Sequence, residues 1–346
     1  MFFIHQSSCI SHQPTFNEVD LEHIRPSENN LIHAIEPKYE NIPLGQLRRM
    51  GKALRMGVGT GMKLLSQYPA DGILIATANG GIEDSIMFLN QIMEYEEGRL
   101  TPTHFVQSTY NAIAGMMGII NKNTGYNATH VHRGIAFENA VLDAAMLLNE
   151  NPAHQYIVGG VDEISARNHR LVFLAGWYKQ EPTLNTDLYS TDSAGTLPGE
   201  GAAMFLVNNK AEGASAHLRD LEMVNTKDEN VVQQRLKLFL DKNLVDGKSV
   251  DLFLHGESGD NRILKYYTGA EQCVGEATTI ARFKHITGEF QTVSALALWM
   301  ACHVLETQSL PQHIVKQKGR TSSFNRILIY NNYQGAQHGF MLIDKV

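Results

Sequence analysis

The chain has 346 residues, of which 43% are hydrophobic and 19% charged, and its formal net charge is −7. This length exceeds what one small core needs, so we expect two packed halves or two domains. The acidic balance excludes general nucleic-acid binding, and no apolar run reaches the roughly 20 residues that a membrane helix needs.

Short apolar runs alternate with helical patterns along the first half of the chain. Apolar residues at a spacing near 3.6 predict helices at residues 47–65, 111–120 and 134–148. Buried apolar runs next to glycine turns predict strands at residues 72–78, 156–158 and 202–207. The polar stretch 208–215 predicts a boundary, which divides the chain into residues 1–209 and 210–346.

The second half repeats this pattern. A strand at 250–254 ends in His255-Gly256, and a helix with one apolar face is predicted at about 291–306. Two further strands, at 327–330 and 340–343, are joined by a loop that contains Gly335 and Gly339. The alternation predicts an α/β layered fold with buried sheets, in which ligand sites collect at the carboxyl ends of strands.

Residues 125–148 predict a strand, a turn and a helix, which is an arrangement where many enzymes place a nucleophile. The turn offers His130, His132 and Arg133, and it has no cysteine or serine. No nearby cysteine or aspartate completes a metal site around the two histidines, so we expect no metal ion. The opening residues lack the basic segment of a secretory signal, which favours a cytoplasmic protein.

Seven stretches resemble the β-ketoacyl-acyl-carrier-protein synthase family, which has the thiolase fold, and they follow one another along the chain in the order of the family's motifs. PGEGAA at 198–203, followed by an apolar strand, is the most specific of them. The other six are the helix at Asn111, the turn near Gly134, GGVDE at 159–163, HGESGD at 255–260, FKHITGEF at 283–290 and YNNYQGAQHG at 330–339. The resemblance covers nearly the whole chain and implies a layered αβαβα fold made of two similar halves.

The family's chemistry uses a cysteine at a helix N-terminus, where the helix dipole stabilises the thiolate that attacks an acyl thioester. Two histidines then support decarboxylation of the malonyl thioester. By resemblance, His255 matches the first histidine, Lys284 matches a family lysine, and Glu289 stands at the second histidine. Counting back from the glycine pair at 159–160 places the nucleophile position at Gly134, and a small shift gives Arg133 or His132.

The resemblance also suggests contact residues. Gln334 stands where the family has a gating phenylalanine, and Gly335 matches a glycine of the same loop, so we expect both to line the substrate pocket together with His132. A basic patch near the start of the first helix would attract an acidic carrier protein, although a solvated helix face is the simpler interpretation. Its members are Arg48, Arg49, Lys52 and Arg55.

Without the cysteine no acyl-enzyme forms at the turn, and a glutamate cannot replace a neutral histidine that donates a hydrogen bond. Catalytic groups that act together lose their activity together when members are missing, so we do not expect this chain to catalyse the condensation by itself. The resemblance therefore implies a chain-length-factor-type partner of an active ketosynthase in fatty-acid or polyketide biosynthesis, including aryl-polyene pigments, with no cofactor. Two alternatives remain: a self-sufficient acyl-thioester enzyme that uses His255 and Glu289, and a non-enzymatic homodimer that holds an acyl chain or carrier protein.

Overall fold

The computed structural model describes residues 1–96, 98, 100–245, 247, 249–321 and 323–346. Within these residues the strands are β1 Phe2–Ile10, β2 Gly72–Ala76, β3 Tyr126–His130, β4 Gln155–Asp162, β5 Gly201–Asn208, β6 Ala216–Asn225, β7 Leu252–His255, β8 Thr279–Arg282, β9 Val315–Gln317, β10 Arg326–Tyr333 and β11 Gln337–Lys345. The helices are α1 Leu44–Leu47, α2 Lys52–Leu65, α3 Ile82–Glu94, α4 Pro102–Gln107, α5 Ala112–Asn121, α6 Ala136–Glu150, α7 Ala166–Leu174, α8 Glu229–Asn243, α9 Leu264–Glu271, α10 Lys284–Thr287 and α11 Ser294–Thr307. Short 3₁₀ turns lie at Arg133–Ile135, Asn185–Asp187 and Gln312–Ile314.

The strands repeat one topology twice. Their order is β3-β2-β4-β5-β1-β6-β11-β10-β7-β8-β9, and β1 pairs antiparallel with β6 at the centre. Read outward from that pair, the first half runs β1-β5-β4-β2-β3 and the second β6-β11-β10-β7-β8. If the strands are numbered within each half and the outer edge strand β9 is left out, both series read first, fifth, fourth, second, third. The proposed boundary between residues 209 and 210 falls in the connection from β5 to β6.

Helices cover the sheet halves in layers. α6 and α11 lie between the two halves, where their apolar side chains share one core with the inner faces of β4, β5, β7 and β10. α2 and α5 cover the outer face of the first half, and α8 and α9 cover the outer face of the second. This order gives the five αβαβα layers, so the predicted thiolase-like fold class is confirmed. Within the described residues, no helix is long and apolar enough to span a membrane.

Several predicted details are wrong. Because α11 is sandwiched between the sheet halves, its residues from Ser294 to Cys302 are all buried, rather than those of one face only. The predicted helix at 47–65 is interrupted at 48–51, so α2 begins only at Lys52. Gly159-Gly160 lies inside β4 instead of ending it, because the pairing with β5 continues to Asp162, which lies opposite Gly201.

Candidate functional site

The strand-to-helix turn at 131–136 packs against the β10–β11 hairpin. A Cβ at Gly134 would come 2.0 Å from Tyr333 Cβ, and the Gly134 amide donates to Gln337 Oε1 at 3.0 Å. Position 134 therefore has no room for a nucleophilic side chain. Arg133 has a φ of +49°, the left-handed conformation that L-residues adopt only in tight turns. Of the three sequence candidates, His132 and Arg133 remain as the nucleophile-equivalent position.

A buried ion pair lies at the residues that match the family's lysine and second histidine. Lys284 is fully buried on α10, and its Nζ lies 2.6 Å from Glu289 Oε2. Burial lowers the pKa of Lys284 and raises the pKa of Glu289, while each partner's charge opposes the shift of the other. The other oxygen, Glu289 Oε1, has no hydrogen-bond partner among the described residues.

A second buried carboxylate accompanies this pair, and our sequence interpretation missed it. Glu138 lies in the first turn of α6, and within the described residues neither of its oxygens has a hydrogen-bond partner. Burial raises the pKa of Glu138 to about 7, although the nearby Glu138 backbone amide, the Ser294 hydroxyl and the charge of Lys284 oppose the shift. Glu138 lies at helical spacing from the buried Val141 and Ala145. A charged residue on this apolar face was therefore the sequence signal that could have identified Glu138.

Two glycines make room for these charges. A Cβ at Gly339 would come 2.6 Å from Glu138 Oε1. A Cβ at Gly256 would come 3.0 Å from Lys284 Cε and 2.5 Å from Asn331 Oδ1. Gly339 itself lies within β11, not in a loop as the sequence suggested.

The structure contradicts the placement of His255 in this site. Along β7, Leu252 and Leu254 join the central core while Phe253 joins the outer core. Because successive side chains in a strand point to opposite faces, His255 falls on the outer face with Phe253. The residue that faces Lys284 is therefore Gly256. The sequence match of His255-Gly256 to the family motif did not take this alternation of side chains into account.

His255 instead belongs to a buried ionic cluster under α9. Its Nε2 lies 2.8 Å from Glu271 Oε1, and its ring stacks on Tyr267 at a centroid distance of 5.2 Å. Burial lowers the pKa of His255, against the effect of Glu271. With Glu257 these residues resemble a metal-ligand set, but Lys316 Nζ lies 2.7 Å from Glu257 Oε2 and 2.6 Å from Glu271 Oε1. Arg282 Nη1 also lies 2.9 Å from Glu257 Oε1, so two cations already balance the two carboxylates.

Glu289 lines a narrow cleft, with a volume of about 20 Å³, at the carboxyl ends of the strands. Gln334 lines this cleft, while His132 and Gly335 are absent from its described lining. Gly335 packs toward Tyr266 instead, since a Cβ there would come 2.9 Å from that ring. The predicted gate loop is a tight turn, with φ values of +53° and +65° at Gln334 and Gly335.

The predicted basic patch does not form one exposed face. Arg48 and Arg49 are exposed in the turn before α2. Lys52, in contrast, forms an ion pair with the buried Glu200. Arg55 Nη2 lies 2.7 Å from Glu36 Oε1. Because these partners hold the two residues on the body of the protein, only the two arginines before α2 remain available to a carrier protein.

The Asp162-Glu163 motif has a structural role. Asp162 is buried and accepts hydrogen bonds from the Ala78 and Asn79 amides at 2.9 and 2.7 Å. It also accepts from the hydroxyls of Thr77 and Thr292, each at 2.9 Å. The carboxylate thereby ties the end of β2 to the segment that leads into α11.

The Pro-Gly-Glu-Gly turn positions Glu289 through a close backbone contact. The Gly199 amide donates to the Glu289 carbonyl at 3.0 Å, and the Glu289 amide donates to the Leu197 carbonyl at 2.8 Å. A Cβ at Gly288 would come 2.4 Å from Gly199 Cα, so neither glycine can carry a side chain. Two motifs that are about 90 residues apart in sequence form one wall of the site.

Comparisons with known proteins agree with this fold. Residues 24–170 match the family model described as beta-ketoacyl synthase, N-terminal domain. No curated protein matches the chain. A beta-ketoacyl synthase from Burkholderia phymatum STM815 is 13% identical with a TM-score of 0.77, over 100% of this chain and 99% of that chain.

Two similar structures contain chain length factors. The ishigamide ketosynthase/chain length factor is 14% identical with a TM-score of 0.79, over 100% of this chain and 99% of that one. A ketosynthase in complex with its chain length factor from Xenorhabdus doucetiae is 11% identical with a TM-score of 0.77, over 100% and 98%. Residues 24–170 are therefore similar to the N-terminal domain of β-ketoacyl synthases, and the whole chain has the thiolase-like fold of these structures.

Proposed function

We propose that this chain is a catalytically degenerate, chain-length-factor-type partner of an active ketosynthase in fatty-acid or polyketide biosynthesis, including aryl-polyene pigments. The observation that carries the proposal is the strand-to-helix turn at 131–136, which contains no thiol or hydroxyl group. Neither Cys9 nor Cys302 substitutes for a nucleophile, because both are buried and burial raises the pKa of each thiol to about 12. A thiol with such a pKa stays protonated near neutral pH.

The rest of the site supports the same conclusion. The position that faces Lys284 from β7 is Gly256, and Glu289 stands at the second histidine. No imidazole from these two positions can therefore polarise a thioester carbonyl. The self-sufficient enzyme that we considered from the sequence required His255, whose ring is engaged with Glu271 under the outer helices.

An open sheet edge supports association with a partner. β3 is the end strand of the sheet, and in the described residues it pairs only with β2. Such an edge offers free backbone groups to another chain. The neighbouring α3 has no buried residue, so its apolar side chains are accessible to a partner protein. Large hydrophobic residues are exposed on α3, on α5, on α6 and on either side of β3; they include Met93, Ile119, Tyr126, Val131 and Met146.

The named complexes among the similar structures favour a ketosynthase as the occupant of this face. A second copy of the chain could use the same edge, since antiparallel pairing of one strand with itself is compatible with a two-fold axis. That homodimer is the competing outcome. We further propose that Arg48 and Arg49 contribute to carrier-protein docking, because both are basic and exposed.

The test is native mass spectrometry of the chain expressed alone and with the ketosynthase encoded nearest to it. We expect a one-to-one complex that Val131→Lys disrupts, because a charge at the sheet edge would be buried without a partner. Leu238→Lys is the matched control, since Leu238 is 52% exposed on α8, in the outer layer of the other half. A homodimer that does not exchange with the ketosynthase would contradict the proposal.

A further inference from the structure

A loop of the first half, residues 11–35, contacts the second half through a histidine. The two ends of the loop meet, since the Ile35 amide donates to the Ser11 carbonyl at 2.8 Å. In the middle of the loop, the Leu21 carbonyl lies 2.6 Å from Nε2 of His313, which belongs to the short turn between α11 and β9. This hydrogen bond anchors the loop of one half on the other half.

A second histidine connects this anchor to α10. His285 Nε2 lies 2.9 Å from His313 Nδ1, and His285 Nδ1 lies 3.3 Å from the Tyr189 hydroxyl. The His285 carbonyl and the Arg25 carbonyl of the loop both accept from Asn185 Nδ2, at 2.8 and 2.9 Å. His285 is 3% exposed, so the ring and the backbone of one buried residue both connect to the loop.

The Leu21 carbonyl fixes the position of each hydrogen in this chain of contacts. A carbonyl oxygen only accepts, so His313 Nε2 carries a hydrogen and donates it. In a neutral His313 ring Nδ1 is then the acceptor, and His285 Nε2 donates to it. His285 Nδ1 is left without a hydrogen and accepts from the Tyr189 hydroxyl. All donors in the chain therefore point from Tyr189 toward the loop.

A further proton does not fit this arrangement. On His313 Nδ1 it would face the hydrogen that His285 Nε2 donates, and on His285 Nδ1 it would place a charge on a buried ring. Burial most of all, then His313 and the charge of Arg282, lower the pKa of His285 to about 3. The Arg282 guanidinium lies 3.7 Å from the centroid of the Tyr189 ring, and its Nη1 lies 2.9 Å from Glu257 Oε1.

Acid acts differently on the other histidines of the loop. Their ring nitrogens hydrogen-bond to carbonyl or carboxylate oxygens, which accept from an imidazolium as well as from a neutral ring. Protonation therefore does not break these contacts, and the His285–His313 pair is the place where acid opposes the anchor. The contacts in question join His12 to the Arg25 and His33 carbonyls, His23 to Asp20, and His33 to Glu200.

We propose that the His285–His313 pair is an acid-sensitive latch, which holds the loop 11–35 on the second half at neutral pH and releases it in mild acid. In the open state the His285 ring reaches water and regains its ordinary pKa of 6.5, whereas in the closed latch burial holds the pKa at about 3. Protons therefore stabilise the open state. The stability of the latch is fully present above pH 6.5 and is lost as the pH falls from there toward 3.

Release of the latch would reach the candidate site by two routes. His285 lies on α10 directly after Lys284. The loop also contacts the wall of the site, because the Ile32 amide donates to the carbonyl of Pro198 at 3.0 Å, in the turn that positions Glu289. An open latch would therefore loosen the segments that hold the ion pair of Lys284 and Glu289. The proposal does not rest on association with a ketosynthase.

The experiment is hydrogen exchange with mass spectrometry on the full chain at pH 7.5 and pH 5, corrected for the intrinsic pH dependence of exchange. The two pKa values of His285 predict that the opening constant of peptides from the loop is about 30-fold larger at pH 5. In His285→Gln the side-chain amide still donates to His313 but does not titrate, so we expect an increase of about threefold or less. His23→Gln is the matched control and should keep the full increase, because His23 lies in the same loop with its side chain 87% exposed.

A measurement on the unmodified protein keeps the test decisive if His285→Gln does not fold. NMR of the chain labelled with ¹⁵N-histidine should show both rings of the latch neutral and protonated on Nε2 at pH 7.5, with His285 still neutral at pH 5. A charged His285 ring at pH 5, or a hydrogen on its Nδ1 at pH 7.5, would overturn the proposal. Loop opening that does not change with pH, or an undiminished increase in a folded His285→Gln variant, would do the same.

Discussion

Two buried carboxylates, Glu138 and Glu289, accompany the single ammonium group of Lys284 at the central site. Glu289 holds that ammonium at 2.6 Å, so the charge of Lys284 opposes the effect of burial on Glu138 only weakly, after the nearby Glu138 backbone amide and the Ser294 hydroxyl. This imbalance explains why burial raises the pKa of Glu138 to about 7. Below about pH 7 the site therefore favours a protonated Glu138.

Glu138→Gln should remove a pH-dependent loss of stability. The pKa of Glu138 rises from 4.5 in the unfolded chain to about 7 in the folded protein, so the folded state binds more protons between these values. Its contribution favours folding at low pH and is lost as pH rises toward 7. We expect Glu138→Gln to exceed the unmodified protein in unfolding free energy by on the order of 2–3 kcal/mol at pH 8, and by much less at pH 5. Urea unfolding at both pH values measures this, and Glu276→Gln, at a side chain that is 91% exposed, should show no such trend.

Asp162→Ala tests the structural interpretation of the other carboxylate motif. The change leaves two amides and two hydroxyls without their acceptor in a buried place. We expect a loss of roughly 3–5 kcal/mol in the free energy of unfolding, as for other broken buried networks. Asp241→Ala, at an exposed position on α8, should change the value by less than about 0.5 kcal/mol. A loss in the control as large as that in Asp162→Ala would contradict the interpretation.

At the scale of elements, the site depends on where backbone segments touch. The turn before β5 and the turn after α10 meet at Gly199 and Gly288, and this contact holds Glu289 at the cleft. Gly288 has φ +70° and ψ −176°, a region that glycine alone occupies without strain. Position 288 therefore requires glycine for two reasons: its backbone conformation and the lack of space for a side chain.

Gly288→Ala should therefore destabilise the protein through strain and through a clash with Gly199. Gly213→Ala is the control, because Gly213 also has a positive φ, +74°, but nothing lies within 4 Å of its Cβ position. Strain alone costs about 1 kcal/mol in the control, and we expect a loss of more than roughly 3 kcal/mol at Gly288, in the range of severe core changes. Thermal and urea unfolding give both values, and equal losses would show that the close contact is unimportant.

For the molecule as a whole, the two halves close around α6 and α11, but the sheet stays open at β3. The exposed apolar residues of α3, α5 and α6 lie in the same half as this edge. The open edge and these apolar residues together form the surface that we propose for stable association. A partner on that side would bury side chains that the isolated chain leaves in water.

Binding of the proposed ketosynthase should raise the thermal stability of this chain by mass action. At a partner concentration 100 times the Kd, the gain is roughly 2.7 kcal/mol. We expect Tm to rise with partner concentration for the unmodified protein and for Leu238→Lys, and to stay nearly constant for Val131→Lys. Differential scanning fluorimetry measures this, and a Tm that is independent of partner concentration in all three proteins would argue against the complex.

The sequence alone determined the fold class and showed that the turn at 131–136 carries no thiol or hydroxyl group. Strand–helix alternation and the order of the seven motifs are local properties of the chain, and the residue types of a turn need no coordinates to be read. The match of Lys284, Gly288 and Glu289 to one motif was equally readable, because their spacing lies within a single segment. The structure places that lysine and glutamate in contact.

Tertiary structure alone decided which side chains meet. The face that His255 occupies depends on which side of β7 packs against the central helices, and a letter match carries no information on that. Lys52 and Arg55 pair with Glu200 and Glu36, which lie 148 and 19 residues away in the sequence. Glu138 lies in the site because α6 packs between two sheets. The sequence interpretation missed it because it is one charged residue in an otherwise apolar pattern. Contacts of this kind are set by the assembly of the layers, which no local pattern encodes.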